Sequence, residues 1–143
     1  MLFTVKEIII VCIIHAIACI DSMKKEVIII SILVNIIQVL LFIFFIMTGT
    51  KIISGKMAEE FKRFGFPSIF NFLTGAFELI GAIGMLIGIW VPYVALFAGL
   101  LLGGTMFVAA FTLVVIVKDP FKKSIPAIIL MILSLGVSSF YLF

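Results

Sequence analysis

One glutamate, Glu78, stands in an apolar run from residue 67 to 89 that holds no other formal charge. If that run crosses a membrane as a helix, Glu78 lies about 16 Å from Pro67, near the middle of a roughly 30 Å apolar layer. A carboxylate at that depth costs at least about 2.5–3.5 kcal/mol unless it is paired, hydrated or protonated. Such a group can move a proton, bind a ligand, or serve as a neutral acid that locks helices together. Counted from the span ends that adjoin the charged loops, Gln38, Thr105 and Ser134 fall within about 3 Å of the same level. Four spans would then each supply one polar side chain to a single layer, with a neutral Glu78 donating to Gln38. Asn71 shares a helical face with Gly75, Glu78, Ala82 and Met85, a stripe that should point into the bundle. Lys51 closes the preceding apolar run; its long side chain can snorkel to the headgroups or reach inward toward Asn71 and Glu78.

The remaining inventory excludes much chemistry. His15 is the only histidine, so one chain cannot hold a haem between two of them. No zinc set assembles from that histidine and two distant cysteines. Cys12 and Cys19 stand about 10 Å apart along a helix, too far for a disulfide, and they read as buried bystanders. There is no C-x-x-C and no phosphate-binding loop. The expectation is a chain with no catalytic residue, no metal, no nucleic-acid partner and no cofactor of its own.

Composition dictates what must position these groups. Of 143 residues, 65% are hydrophobic and 12% charged. Soluble domains sit near 45–50% apolar and about 25% charged, so this chain cannot clothe a soluble core in polar residues. Four stretches are long enough to span a bilayer as helices, at residues 27–50, 67–89, 91–117 and about 124–143. They are apolar all round, too long for strands, and do not alternate. The fold expected is all-α, a transmembrane four-helix bundle embedded in the lipid bilayer.

Charge sets its orientation. Lys51, Lys56, Lys62 and Arg63 follow the first span, and Lys118, Lys122 and Lys123 follow the third, whereas the turn around Trp90 and Tyr93 has no charge. The positive-inside rule places loops 51–66 and 118–123 in the cytoplasm and the C-terminus outside, with Trp90, Tyr93 and Tyr141 near the outer interface. Within the first loop, Met57, Phe61 and Phe64 recur at helical spacing between charges, the pattern of a short amphipathic helix on the membrane surface. Gly65 can end it and Pro67 can begin the next span. Residues 1–22 stand apart from a single domain at 23–143. Their apolar core, residues 8–20, is short for a span; an extra helix, a signal sequence and a translated leader before Met23 all fit it.

Glycines mark where helices can meet. Gly84 and Gly88 form one G-x-x-x-G, Gly99 and Gly103 another, and small residues at that spacing allow close approach. The short turn between them makes the two spans an antiparallel pair. Folding the hairpin about Trp90–Tyr93 sets Gly84 opposite Gly103 and Gly88 opposite Gly99, which predicts the tightest contact there.

The order of these features resembles the DoxX-like family of small bacterial membrane proteins. The resemblance rests on Gly49-Thr-Lys51-Ile-Ile, on the segment through Gly65-Phe66-Pro67, and on Gly75-Ala-Phe-Glu78-Leu-Ile-Gly81 and Gly84-Met-Leu-Ile-Gly88. It implies a four-helix bundle in the bacterial inner membrane, marks Gly49, Lys51, Glu78 and Gly81, and supplies no catalytic residue. Members are associated with quinone- or thiol-linked redox systems and with resistance to reactive compounds, often as accessory subunits. The leading expectation is a non-catalytic accessory or quinone-contact subunit with a protein partner or a homo-oligomer in the membrane. A proton-coupled carrier of hydrophobic compounds using Glu78 is the alternative from another class, and a purely structural assembly protein is a third.

Overall fold

Apolar runs punctuated by glycine, proline and charge become helices, because a helix satisfies its own backbone hydrogen bonds where water is absent. The computed structural model describes residues 2–143, and no strand occurs among them. The helices are α1 (Leu2–Ile53), α2 (Ala58–Arg63), α3 (Ser68–Ile87), α4 (Pro92–Phe111) and α5 (Ile125–Leu142). Four segments are long and apolar enough to cross a membrane: Lys6–Ile53, Ser68–Ile87, Pro92–Ile116 and Ile125–Leu142. The chain is a multi-pass membrane protein with an all-α bundle.

It divides into two compact units, residues 1–34 and residues 35–143. The first is helical from Leu2, and every residue from 6 to 30 is exposed, Cys12 and Cys19 included. The two cysteines are therefore not buried bystanders: no other element of their unit packs on them. The apolar run 8–20 is part of α1 rather than a separate helix.

In the second unit α1 contributes one buried face, Gln38, Leu41, Phe45, Gly49 and Ile52, at steps of three or four residues. Leu41, Phe45, Met85 and Leu102 are almost wholly enclosed and form the centre of the core. The helices start and stop where backbone chemistry requires. Pro92 sits in the first turn of α4, where its missing N–H costs nothing. Gly65 takes a positive φ of 78° just past α2, a conformation that suits glycine. The short helix α2 is amphipathic as expected, with Phe61 and Phe64 half-buried and their rings 6.1 Å apart. Arg63 ties it to the α4–α5 connection by pairing with Asp119, which Lys123 also approaches at 3.4 Å.

The end of α4 departs from α-helical geometry. Residues Thr112–Ile116 form a π-helical turn in which the Val117 N–H donates to the Thr112 carbonyl at 3.0 Å. The Asp119 N–H then reaches back to the Leu113 carbonyl at 3.0 Å, and Lys118 takes a φ of 54°. Thr112 is buried at this turn. Nothing in the residue pattern of TLVVI announces a π turn.

The glycine contacts differ from the expectation. A Cβ on Gly84 would lie 2.8 Å from the Ala98 Cβ, and one on Gly88 would lie 2.6 Å from the Ala95 Cα. Gly81 faces Leu102 in the same register. Thus α3 lays Gly81, Gly84 and Gly88 against Leu102, Ala98 and Ala95. Gly99 and Gly103 instead face α5, where a Cβ would meet the Ser134 carbonyl oxygen at 2.6 Å and the Leu135 side chain at 2.7 Å. The two glycine motifs do not face each other. The reason is the fold point: the pairs Gly81–Leu102, Gly84–Ala98 and Gly88–Ala95 fold the hairpin at Val91–Pro92, whereas opposing Gly84 to Gly103 requires a fold about two residues later, at Tyr93–Val94, so the partners on α4 shift by about one helical turn. That shift presents the face with Ala95, Ala98 and Leu102 to α3 and leaves the adjacent glycine face for α5. Glycine still marks the close contacts, but each motif serves a different neighbour.

Candidate functional site

Gly49 and Gly75 bring the backbones of α1 and α3 close together. A Cβ on Gly75 would lie 3.1 Å from the Gly49 carbonyl oxygen, and one on Gly49 would lie 3.2 Å from the Gly75 carbonyl oxygen. This reciprocal contact draws the backbones together, and the side chains beside it can then meet. Thr48 precedes Gly49, and Glu78 stands one turn beyond Gly75. Thr48 Oγ1 donates to Glu78 Oε2 at 2.7 Å. Glu78 is 3% exposed, so this hydroxyl replaces water as its partner.

The same Thr48 oxygen lies 3.3 Å from the Phe45 carbonyl. The arrangement therefore accommodates either charge state. An ionised Glu78 accepts from Thr48. A protonated Glu78 donates to Thr48, which then donates to the Phe45 carbonyl. Charge can change here without moving a helix.

The single polar layer expected from span ends is not formed. Gln38 is buried, but its Nε2 donates to the Met85 carbonyl at 3.3 Å and its Oε1 accepts from Tyr141 Oη at 3.1 Å. Met85 stands seven residues beyond Glu78, about 10 Å along α3. Thr105 bonds within its own helix, to the Leu102 carbonyl at 2.8 Å. Ser134 is fully buried, with no hydrogen-bond partner for its hydroxyl. Levels counted from span ends miss the true register, which the glycine approaches set. Pairing Gly49 with Gly75 slides α1 along α3 until Thr48, not Gln38, stands at the glutamate.

Asn71 is buried and bonded, as its place on the Glu78 face implies; its Nδ2 donates to the Ile52 carbonyl at 2.7 Å. Its Oδ1 has no partner among the described residues. Lys51 is exposed at the end of α1 and does not reach Asn71 or Glu78. Of the expected polar positions, the structure brings Asn71 and Glu78 onto one buried stripe. Gln38 belongs to a separate centre with Tyr141, and Thr105 and Ser134 to neither.

Thr48 and Tyr141 are the participants that the polar residues of the sequence did not single out in these roles. Thr48 had one readable signal: it stands beside Gly49, a small residue of the kind that lets a neighbouring helix come close. Tyr141 reads as an interfacial ring, yet its hydroxyl turns in to Gln38 and lies 3.5 Å from Asn35 Oδ1.

Between the two helices that Tyr141 and Gln38 join runs an apolar groove of about 230 Å³, lined by Ile37, Leu40, Leu41, Phe44, Leu130 and Leu133. Among the described residues, no group of three or more His, Cys, Asp or Glu converges as a metal site. The groups present are an apolar groove, a hydroxyl–amide hydrogen bond between the same two helices, and one buried carboxyl group bonded to a threonine.

A family model described as the DoxX-like family matches residues 36–137, and the match includes Gly49, Glu78 and the glycines of α3 and α4. No curated protein and no solved structure matches the chain.

Proposed function

The chain belongs to the DoxX-like family, and from that premise we propose that it is a non-catalytic membrane subunit that contacts a quinone in a redox or reactive-compound stress system. The groove between α1 and α5 carries this reading. Its lining side chains are all apolar, suited to a molecule that dissolves in lipid as quinones do. At about 230 Å³ it is smaller than the roughly 300–1,000 Å³ of enclosed ligand pockets, a size suited to one flat ring with its tail left in the bilayer. In this reading one of the hydrogen bonds that Tyr141 makes to Gln38 and Asn35, on the same two helices, is exchanged for a bond to the quinone carbonyl. In this reading the loops 51–66 and 118–123 lie in the cytoplasm, where their excess of lysine and arginine favours them, and the C-terminus lies outside.

A short-chain benzoquinone or naphthoquinone, presented to the protein in lipid nanodiscs, should be retained. Leu133→Trp, which fills the groove from its rim, should weaken retention at least tenfold while the helical circular dichroism stays unchanged. Equal retention by the two proteins would sink the quinone reading. Glu78 favours a second reading, a proton-coupled carrier of apolar compounds, because it is a buried group able to hold either charge state. Its mark is efflux from vesicles that follows a pH gradient and that Glu78→Gln abolishes; efflux unchanged in that variant excludes it.

A further inference from the structure

Glu78 is closed off along the bundle in both directions. Toward the Trp90 turn, Phe45, Ala82 and Met85 are fully enclosed. Toward α4, the neighbouring Gly81 packs on Leu102, which is fully enclosed as well. Toward the charged loops, the stripe from Glu78 to Asn71 passes Gly75. A Cβ there would meet the Ile53 side chain at 2.6 Å, the Gly49 carbonyl oxygen at 3.1 Å and the Ile52 side chain at 3.1 Å. Two isoleucines and a backbone thus plug the stripe between the glutamate and the asparagine, where a bridging water would need polar partners and room.

One polar group leads outward instead. Thr48 Oγ1 bonds Glu78 Oε2 at 2.7 Å, and Thr48 is only half-buried. A hydroxyl both donates and accepts, so it can pass one proton on while it receives another. Thr48 stands five residues before the end of α1 at Ile53, about 8 Å along the axis. Lys51, three residues on and exposed, shares that side of the helix. A lysine near a span end snorkels to the interface and admits water beside it, which keeps this side of α1 wet. The field around the carboxyl is simple, because apart from Glu78 the residues 35–50, 67–117 and 124–143 carry no formal charge. Of the tyrosines on α4 and α5, Tyr93 is exposed by the Trp90 turn and Tyr141 is bonded to Gln38.

We propose that Glu78 exchanges its proton with water through the Thr48 hydroxyl, and not along the Asn71 stripe. In uptake, a hydronium ion at the edge of the bundle gives a proton to Thr48 Oγ1, and the hydroxyl's own proton moves to Glu78 Oε2. Water, a neutral threonine and a neutral acid remain, and release reverses both transfers. The route goes beyond the carrier reading, since the proton exchanges with no compound carried.

Infrared spectroscopy of the full chain in lipid nanodiscs tests it. The carbonyl stretch of a protonated Glu78 is assigned by its absence in Glu78→Gln, and it moves to lower frequency when a deuteron replaces the proton. After transfer into heavy water, at a pH where the band is fully developed, that shift should be at least tenfold slower in Thr48→Val than in the parent. Thr48→Ser should exchange as the parent does, and so should Asn71→Leu. The sign separates a relay from a structural tie: a threonine that only held the helices together would, when removed, loosen the bundle and speed the exchange. Exchange in Thr48→Val as fast as in the parent or faster overturns the proposal. So does an Asn71→Leu protein slowed as much as Thr48→Val, a Thr48→Ser protein that stays slow, or a carboxyl band that appears at no pH. Efflux that does not depend on Glu78 removes the carrier reading and leaves this exchange standing.

Discussion

Gly99→Ala is expected to destabilise the bundle by about 1–3 kcal/mol, and Gly99→Leu to leave little folded protein. The new Cβ would stand 2.6 Å from the Ser134 carbonyl oxygen and 2.9 Å from the Ser138 Cβ. A carbonyl in mid-helix cannot swing aside as a side-chain tip can, so α4 and α5 must separate. Separation also strains the bond from Ser138 Oγ to the Leu96 carbonyl at 2.9 Å, which joins the same two helices. Reversible unfolding in mixed detergent, followed by circular dichroism, measures the loss. A fully stable Gly99→Ala protein contradicts the close packing of α4 on α5. The same assay separates the two possible glycine arrangements. Gly84 faces Ala98 on α4 and Gly103 faces Leu135 on α5, so Gly84→Ala and Gly103→Ala should add to within about 0.5 kcal/mol. Had these glycines faced each other, as hairpin geometry first suggests, their double variant would depart clearly from the sum.

The second large effect concerns Thr48. Thr48→Val keeps the shape of the side chain and removes the one side-chain hydrogen bond that Glu78 makes among the described residues, while Glu78 is 3% exposed. Leaving that buried group unpartnered should cost about 1–3 kcal/mol. Glu78→Gln should cost much less, since the amide can donate to Thr48 while Thr48 donates to the Phe45 carbonyl. Thr48→Val combined with Glu78→Leu should recover part of the loss, because two apolar groups need no partner. This order of stabilities distinguishes a hydrogen-bonded pair from two polar groups that merely lie near each other. If Thr48→Val is as stable as the parent and Glu78→Gln is not, the glutamate is held by something other than this threonine.

The helices and their number are legible in the sequence because hydropathy over 20 residues is a strong signal and lipid permits few structures. The amphipathic α2 is legible for the same reason, from phenylalanine spacing between charges. Asn71, Gly75 and Glu78 could be placed on one face by helical periodicity alone. What could not be read was how far each helix slides along its neighbour. In a soluble bundle the apolar face identifies itself against polar residues; here all faces are apolar, and α1 gives no contrast between Phe44, which faces outward, and Phe45, which is enclosed. Register was therefore sought from span ends, which placed Gln38 at the glutamate. The contact of Gly49 with Gly75 sets it instead, and a shift of ten residues, about 15 Å along α1, exchanges Gln38 for Thr48. Glycines identified the contact surfaces correctly but not their partners, since a small residue shows where a neighbour can come close and not which one does.

The π turn at Thr112–Ile116 bears on how relatives of this chain should be aligned. Such a turn spends five residues where an ordinary helix spends about four, so it stores one residue inside the span without lengthening it appreciably. A relative that lacks that residue can close the turn to regular helix and still deliver its next loop to the same place. Gaps in alignments across this region therefore belong between Thr112 and Ile116, in the last turn of the apolar segment, rather than in the charged loop where insertions are customarily put. Descent through such a deletion would leave Asp119 and its pairing with Arg63 in place while its number in the chain drops by one.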